Sequence, residues 1–131
     1  MSNTLKYVED YVAEARTLLL DKIEPYRYTD LELIAALNVT LAEARRLRSD
    51  LFLYKGKDDV QSFTEVNDTA VRMELPFRLA LVYGICGHAF ARDQEDVQDA
   101  RATAFMETFR NMLVGQGMRQ IVGGTPPGGA R

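Results

Sequence analysis

The side chains that could carry chemistry are few. The chain has one histidine, His88, and one cysteine, Cys86, two residues apart. That spacing on a helix is a poor zinc site, because two ligands at i and i+2 point away from each other. His88 alone has the chemistry of a general base, but a histidine in an apolar helix is more simply a packed or helix-surface residue. Cys86 sits in the most apolar stretch and reads as a buried thiol. There is no Ser/His/Asp pattern, no glycine-rich phosphate loop after a strand, and no H-E-x-x-H. The acidic run Asp93, Glu95, Asp96 and Asp99 has the charge to attract a cation. It lacks the loop glycine of a calcium site, so a solvated helix start is the better reading. No cofactor or metal is expected.

Two further stretches carry charge in a pattern. Residues 34–46, IAALNVTLAEARR, can be written as a helix-turn-helix. Asn38 would sit in the tight turn, Val39 would be buried, and Thr40 would open a recognition helix ending in Arg45 and Arg46. The competing reading is one continuous helix over 30–48. A capping box at Thr29 and Glu32, an unbroken apolar stripe and a net charge of −3 favour the continuous helix. The only basic concentration is Arg45, Arg46, Arg48, Lys55 and Lys57. It reads either as a solvated face or as an edge that meets an anion or a partner.

The elements that must position these residues follow from periodicity. The chain has 131 residues, enough for one domain with a real core. Its net charge gives no general attraction to nucleic acid or anionic membranes. A first helix is expected over Thr4–Asp21, with Leu5, Val8, Val12, Ala15 and Leu19 on one face and Asn3 or Thr4 as its cap. Pro25 stops it. A second helix starts after Thr29 and carries Leu33 or Ile34, Leu37, Leu41 and Ala44. Leu51–Tyr54 should fold back onto the core. Lys55–Glu74 is the least helical part, compatible with a small hairpin around Asn67-Asp68 or with a long ordered loop.

The stretch Pro76–Ala91, PFRLALVYGICGHAFA, is apolar on every side of a helical wheel. That predicts a central helix buried all round, with Leu79, Val82, Tyr83, Cys86 and Phe90 mostly buried against Val12, Leu19, Leu37 and Leu41. Gly84, Gly87 and Ala91 would admit a close neighbour. A fourth helix, capped by Asp93, should run to about Val114 with Val97, Ala100, Ala104, Phe105, Phe109, Met112 and Leu113. Residues 115–131, GQGMRQIVGGTPPGGAR, hold six glycines and two prolines. They form a tail that orders only against a partner, through Met118, Ile121 and Val122. The expected fold is all-α: a four-helix bundle over 1–114, with a central apolar helix, a mid-chain loop or small β-hairpin, and a flexible tail over 115–131. The N-terminus has no basic region followed by an apolar run, so synthesis and folding in a cytoplasm are expected.

These residues resemble a family. YVAEARTLLLD, then PYRYTDLELIAALNVTLAEARRLRSDLF, then LPFRLALVYGICGHAFARDQED resemble the small head-to-tail adaptor (connector) proteins of tailed double-stranded-DNA bacteriophages. The most telling parts are residues 16–19, 26–30 and 43–48, and the likeness covers roughly residues 7 to 114. The resemblance implies a helical-bundle subunit of a twelve-fold ring under the portal, located in the virion at the head–tail junction. It implies a ring of identical subunits that contacts the portal and a downstream tail, nozzle or stopper protein. DNA would pass through the channel without sequence-specific binding. It implies no enzymatic activity, no cofactor and no membrane contact. A head-to-tail ring needs two complementary patches on each subunit. The basic 45–57 edge and the acidic 93–99 edge are candidates for them, and the tail residues Met118, Ile121 and Val122 for contact with the portal. The alternative from another class is a DNA-binding regulator using residues 30–48.

Overall fold

The computed structural model describes residues 5–93 and 100–115, apart from the side chain of Asp93. It is mostly helical, with four α-helices and one small antiparallel strand pair. The helices are α1 (Val8–Leu19), α2 (Asp30–Leu47), α3 (Arg78–Asp93) and α4 (Ala100–Arg110). The strands are β1 (Leu53–Tyr54) and β2 (Lys57–Asp58), joined across Lys55-Gly56. Both turn residues have positive φ, and glycine at the second meets that need without strain. The hairpin is therefore at Lys55-Gly56, and the residues around Asn67-Asp68 take the alternative reading of a long loop, tied to Tyr7 by a single bridge at Ala70.

α2 begins as its sequence dictates. The Thr29 hydroxyl accepts from the Glu32 amide at 3.0 Å, and the Glu32 carboxylate accepts from the Thr29 amide at 2.8 Å. The helix then runs without interruption through Asn38. Val39, which a helix-turn-helix would bury, is 49% exposed. α1 starts later than the sequence suggested, at Val8. The Asp10 carboxylate accepts the amides of Tyr7 at 2.9 Å and Lys6 at 3.2 Å. The unpaired amides of the first turn, Val8 and Glu9, donate to the carbonyls of Thr69 and Asn67, each at 3.0 Å.

α3 packs against all three other helices. Ala80, Leu81, Val82, Ile85, Cys86 and Ala89 are buried, facing Val12, Leu19, Leu37 and Leu41, which are buried too. The expectation that α3 is covered all round does not hold. Leu79 is 41% exposed, Tyr83 and Phe90 are half-buried, and Ala91 is exposed. The reason is that this edge is covered by α4 mainly through Phe105, whose ring lies 6.2 Å from Tyr83 and 6.3 Å from Phe90. Leu79 lies one turn beyond that cover. Pro76 belongs to a short 3₁₀ turn, Leu75–Phe77, ahead of the helix.

The glycines of α3 do allow close approach, though of side chains. A Cβ at Gly84 would collide with the Thr40 methyl group and lie 3.1 Å from the Phe109 ring. On α4 the buried positions are Ala102 and Phe109, followed by Leu113 in a π-helical turn over Asn111–Gly115. Ala100 and Ala104, expected on the apolar face, are exposed, because the 102–105–109–113 spacing wins the core. Asp93, expected to cap α4, is the last residue of α3, while Val97 and the side chain of Asp93 lie outside the described residues, as does the tail after Gly115.

Two outcomes follow from this core. Leu41→Ala should cost about 2–5 kcal/mol, and Leu79→Ala under about 1 kcal/mol, both read from urea melts. Burial pushes the Cys86 thiol up to about 12. The folded chain then holds that proton where the unfolded chain releases it, above roughly pH 8.5. The thiol's contribution to stability is present below that pH and is lost as pH rises toward 12. At pH 8 a thiol reagent should label Cys86 only at the rate of global unfolding, and immediate labelling of native protein would refute the burial.

Candidate interaction surfaces

The α1–α2 corner is built around Arg16, which is buried with Asp21. The Arg16 guanidinium donates to Asp21 Oδ2 at 2.8 Å, to the Tyr28 carbonyl at 2.9 Å and to Asp30 Oδ1 at 2.8 Å. Its face lies 3.9 Å from the Tyr26 ring centroid. Asp21 in turn accepts the amides of Arg27 at 2.7 Å and Tyr28 at 3.0 Å. One guanidinium and one carboxylate therefore tie the end of α1 to the start of α2 and fix the connector between them.

To present Asp21 inward, the chain turns sharply at Leu20, whose φ is +58°. The Asp21 amide closes that turn on the Arg16 carbonyl at 2.8 Å. A leucine in the left-handed region is strained by about 1–2 kcal/mol. Its side chain gains nothing in return from the core, since Leu20 and Ile23 are each 83% exposed. Leu31, at the start of α2, is also exposed.

The second surface lies at the other end of α2. A groove of about 260 Å³ is floored by the buried Leu41, Phe52 and Met73. Its rim includes Leu53, Tyr54 and the carboxylates of Asp50, Asp59 and Glu74. Arg72 pairs with Asp59 and lies 4.2 Å from the Tyr54 ring centroid. The loop that forms this wall is held by two side-chain amides. Asn38 donates to the Phe63 carbonyl at 2.8 Å and accepts the Phe63 amide at 2.9 Å. Gln61 donates to the Ala70 carbonyl at 2.9 Å and accepts the Arg72 amide at 2.7 Å.

None of the basic residues singled out by sequence lines this groove, and most of them are engaged within the chain. Arg45 pairs with Asp58 on β2, so the neighbouring guanidinium holds the Asp58 carboxyl below its usual range. Arg48 pairs with Asp50 at 2.9 Å, and that bond lowers the Asp50 carboxyl likewise. Arg48 also donates to the Leu113 carbonyl at 2.6 Å and lies 5.0 Å from the Phe77 ring centroid. Arg46 lies 3.8 Å from Glu43. Lys55 lies 5.3 Å from the Tyr54 ring centroid, and Lys57 is exposed on β2. Of the acidic candidates, the Asp93 side chain, Glu95, Asp96 and Asp99 lie outside the described residues, and so do Met118, Ile121 and Val122.

His88 has a structural partner. Its Nε2 lies 3.1 Å from Glu43 Oε1, and Glu43 also meets Arg110 at 3.3 Å. Glu43 on α2 thereby links α3 and α4. Among the described residues, no group of three or more His, Cys, Asp or Glu side chains is placed to hold a metal ion. No described helix is long and apolar enough to cross a membrane. No family model, characterised protein or solved structure matches the chain.

Removing one member of the corner pair leaves its partner buried and unpaired. Arg16→Met should cost about 3–5 kcal/mol in a urea melt. Arg16→Lys should recover only part of this, because an ammonium cannot reach three acceptors in the fixed fork of a guanidinium.

Proposed function

We propose that this protein is an adaptor subunit of the head–tail junction of a tailed double-stranded-DNA bacteriophage. Its four helices act as one bundle over residues 1–114. Identical subunits assemble into a ring beneath the portal, extend the DNA channel, and offer a docking surface to a downstream tail, nozzle or stopper protein. DNA passes through without sequence-specific contact, and no enzymatic step, cofactor or membrane is involved. The site of action is the virion, after synthesis in the host cytoplasm. The Gly/Pro-rich residues 115–131 act as a tail whose Met118, Ile121 and Val122 meet the portal or an adjacent subunit.

The observation that carries this reading is the α1–α2 corner. Two of the three segments that most resemble the adaptor family, residues 16–19 and 26–30, supply Arg16, Tyr26, Tyr28 and Asp30 to the buried network. The same corner holds Leu20 in a strained turn with its side chain in solvent. The turn itself serves the monomer by placing Asp21 in the network, but the exposed Leu20 and Ile23 side chains serve it nothing, whereas a subunit that buries them against a neighbour gains from both. The continuous α2 also supports an adaptor over a helix-turn-helix regulator.

Leu20→Gly separates assembly from folding. Glycine relieves the positive-φ strain, so the subunit should gain about 1 kcal/mol in a urea melt. Native mass spectrometry with portal protein from the same phage should show rings with the parent chain and none with Leu20→Gly. Failure of the parent to form any ring, alone or with portal, would reject the adaptor function.

A further inference from the structure

We propose that the groove between Leu41, Phe52 and Met73 is the docking site for the chain's own C-terminal segment, residues 116–131. At about 260 Å³ the groove falls below the usual range of small-molecule sites, roughly 300–1,000 Å³. It suits a few aliphatic side chains. Leu53 and Tyr54 stand at its rim, 60% and 43% exposed, and extend the apolar floor toward solvent.

The described chain leads toward this groove. The Leu113 carbonyl accepts from Arg48, and the same guanidinium holds Asp50 on the groove rim. Leu113, two residues before Gly115, is thereby joined to the groove rim through a single guanidinium. Three residues carry the chain up to about 10 Å and six up to about 20 Å. Met118 and Ile121 fall within that reach, and closing so short a loop costs little entropy. Charge fits as well. Residues 116–131 contain Arg119 and Arg131 and no acidic residue. The groove wall carries Asp50, Asp59 and Glu74 against Arg72. Asp50 and Asp59 are already paired, while Glu74 is in no ion pair among the described residues, although its charge acts on Arg48. Glu74 is the least engaged of the three carboxylates and the one assigned to Arg119, with Met118 and Ile121 on the apolar floor. The surface this buries is separate from the Leu20 corner, so the docking does not depend on the adaptor function; it is the place of the segment in the free subunit, which assembly would exchange for the portal or an adjacent subunit.

The full-length Leu53→Cys/Ile121→Cys chain tests this under mild oxidation at low micromolar concentration. Cys86 is fully buried and takes no part. The comparator is Ser49→Cys/Ile121→Cys, because Ser49 is exposed beside Arg48, within the same reach of the tail, and does not line the groove. The expected result is an intramolecular 53–121 bridge forming at least tenfold faster than the 49–121 bridge. Adding Glu74→Arg to the first pair should slow it at least threefold. Equal rates for the two pairs would overturn the proposal, since a segment that only collides at random bridges either site. Disulfide-linked dimers in place of the intramolecular bridge would overturn it too, and would give the groove to a second copy. Insensitivity to Glu74→Arg would remove the charge complementarity on which the assignment rests.

Discussion

A buried guanidinium with three protein acceptors governs this fold. Placing Arg16 and Asp21 out of water costs several kcal/mol per ion, and their mutual attraction offsets this only with good geometry and further hydrogen bonds. Here the further bonds exist. Arg16 also takes the Tyr28 carbonyl and Asp30, and Asp21 takes the amides of Arg27 and Tyr28. These groups belong to a connector that has no helix or strand to satisfy them. The pair therefore serves as the connector's hydrogen-bonding partner and sets the direction in which α2 leaves α1. An apolar replacement of the pair would fill the space but would leave those backbone amides and the carbonyl without partners.

The second constraint is the placement of the long segment between β2 and α3. It forms almost no regular structure of its own, so its polar backbone must find partners elsewhere. It finds them at the start of α1 and just before it, on α2, and in one side chain of its own, Gln61. Carbonyls of Asn67 and Thr69 take the free amides of the α1 N-terminus, and the Val71 amide reaches the Lys6 carbonyl at 2.8 Å. Asn38 and Gln61 stand in for strand neighbours with their side-chain amides. Phe63, Val71 and Met73 are then buried, and the segment becomes one wall of the core and of the groove.

Periodicity made the helices legible, and the capping box at Thr29 and Glu32 located the start of α2 within a residue. The buried faces of α1 and α2 could be read from Leu, Val and Ala spacing alone. Other features had weaker signals. The Arg16–Asp21 pair spans five residues across a turn made by a leucine in the left-handed region, which composition does not announce. Asn38 drew attention as a turn former, yet it acts inside a helix on a loop 25 residues away. The basic run at 45–57 looked like an open patch because its acidic partners Asp50 and Asp58 are interleaved with it. A uniformly apolar wheel overstated the burial of Leu79, since how far a neighbouring helix extends is not written in the helix it covers.

The two candidate surfaces lie at opposite ends of α2, and this spacing bears on how copies would meet. With 18 residues in the helix, the ends are about 27 Å apart. A two-fold dimer joins one patch to the same patch on its partner, so a corner-to-corner contact would close after two copies. An apolar corner at one end, and a groove with acidic rim residues at the other, are not self-complementary in that sense. They present different chemistry in different directions, which is the requirement for a heterologous contact that continues from subunit to subunit, provided the next copy displaces the C-terminal segment from the groove or packs over it. Whether such a series closes into a ring depends on the rotation between neighbours. The corner is the place where that rotation would be fixed, because Arg16 holds it rigid and Leu20 projects from it.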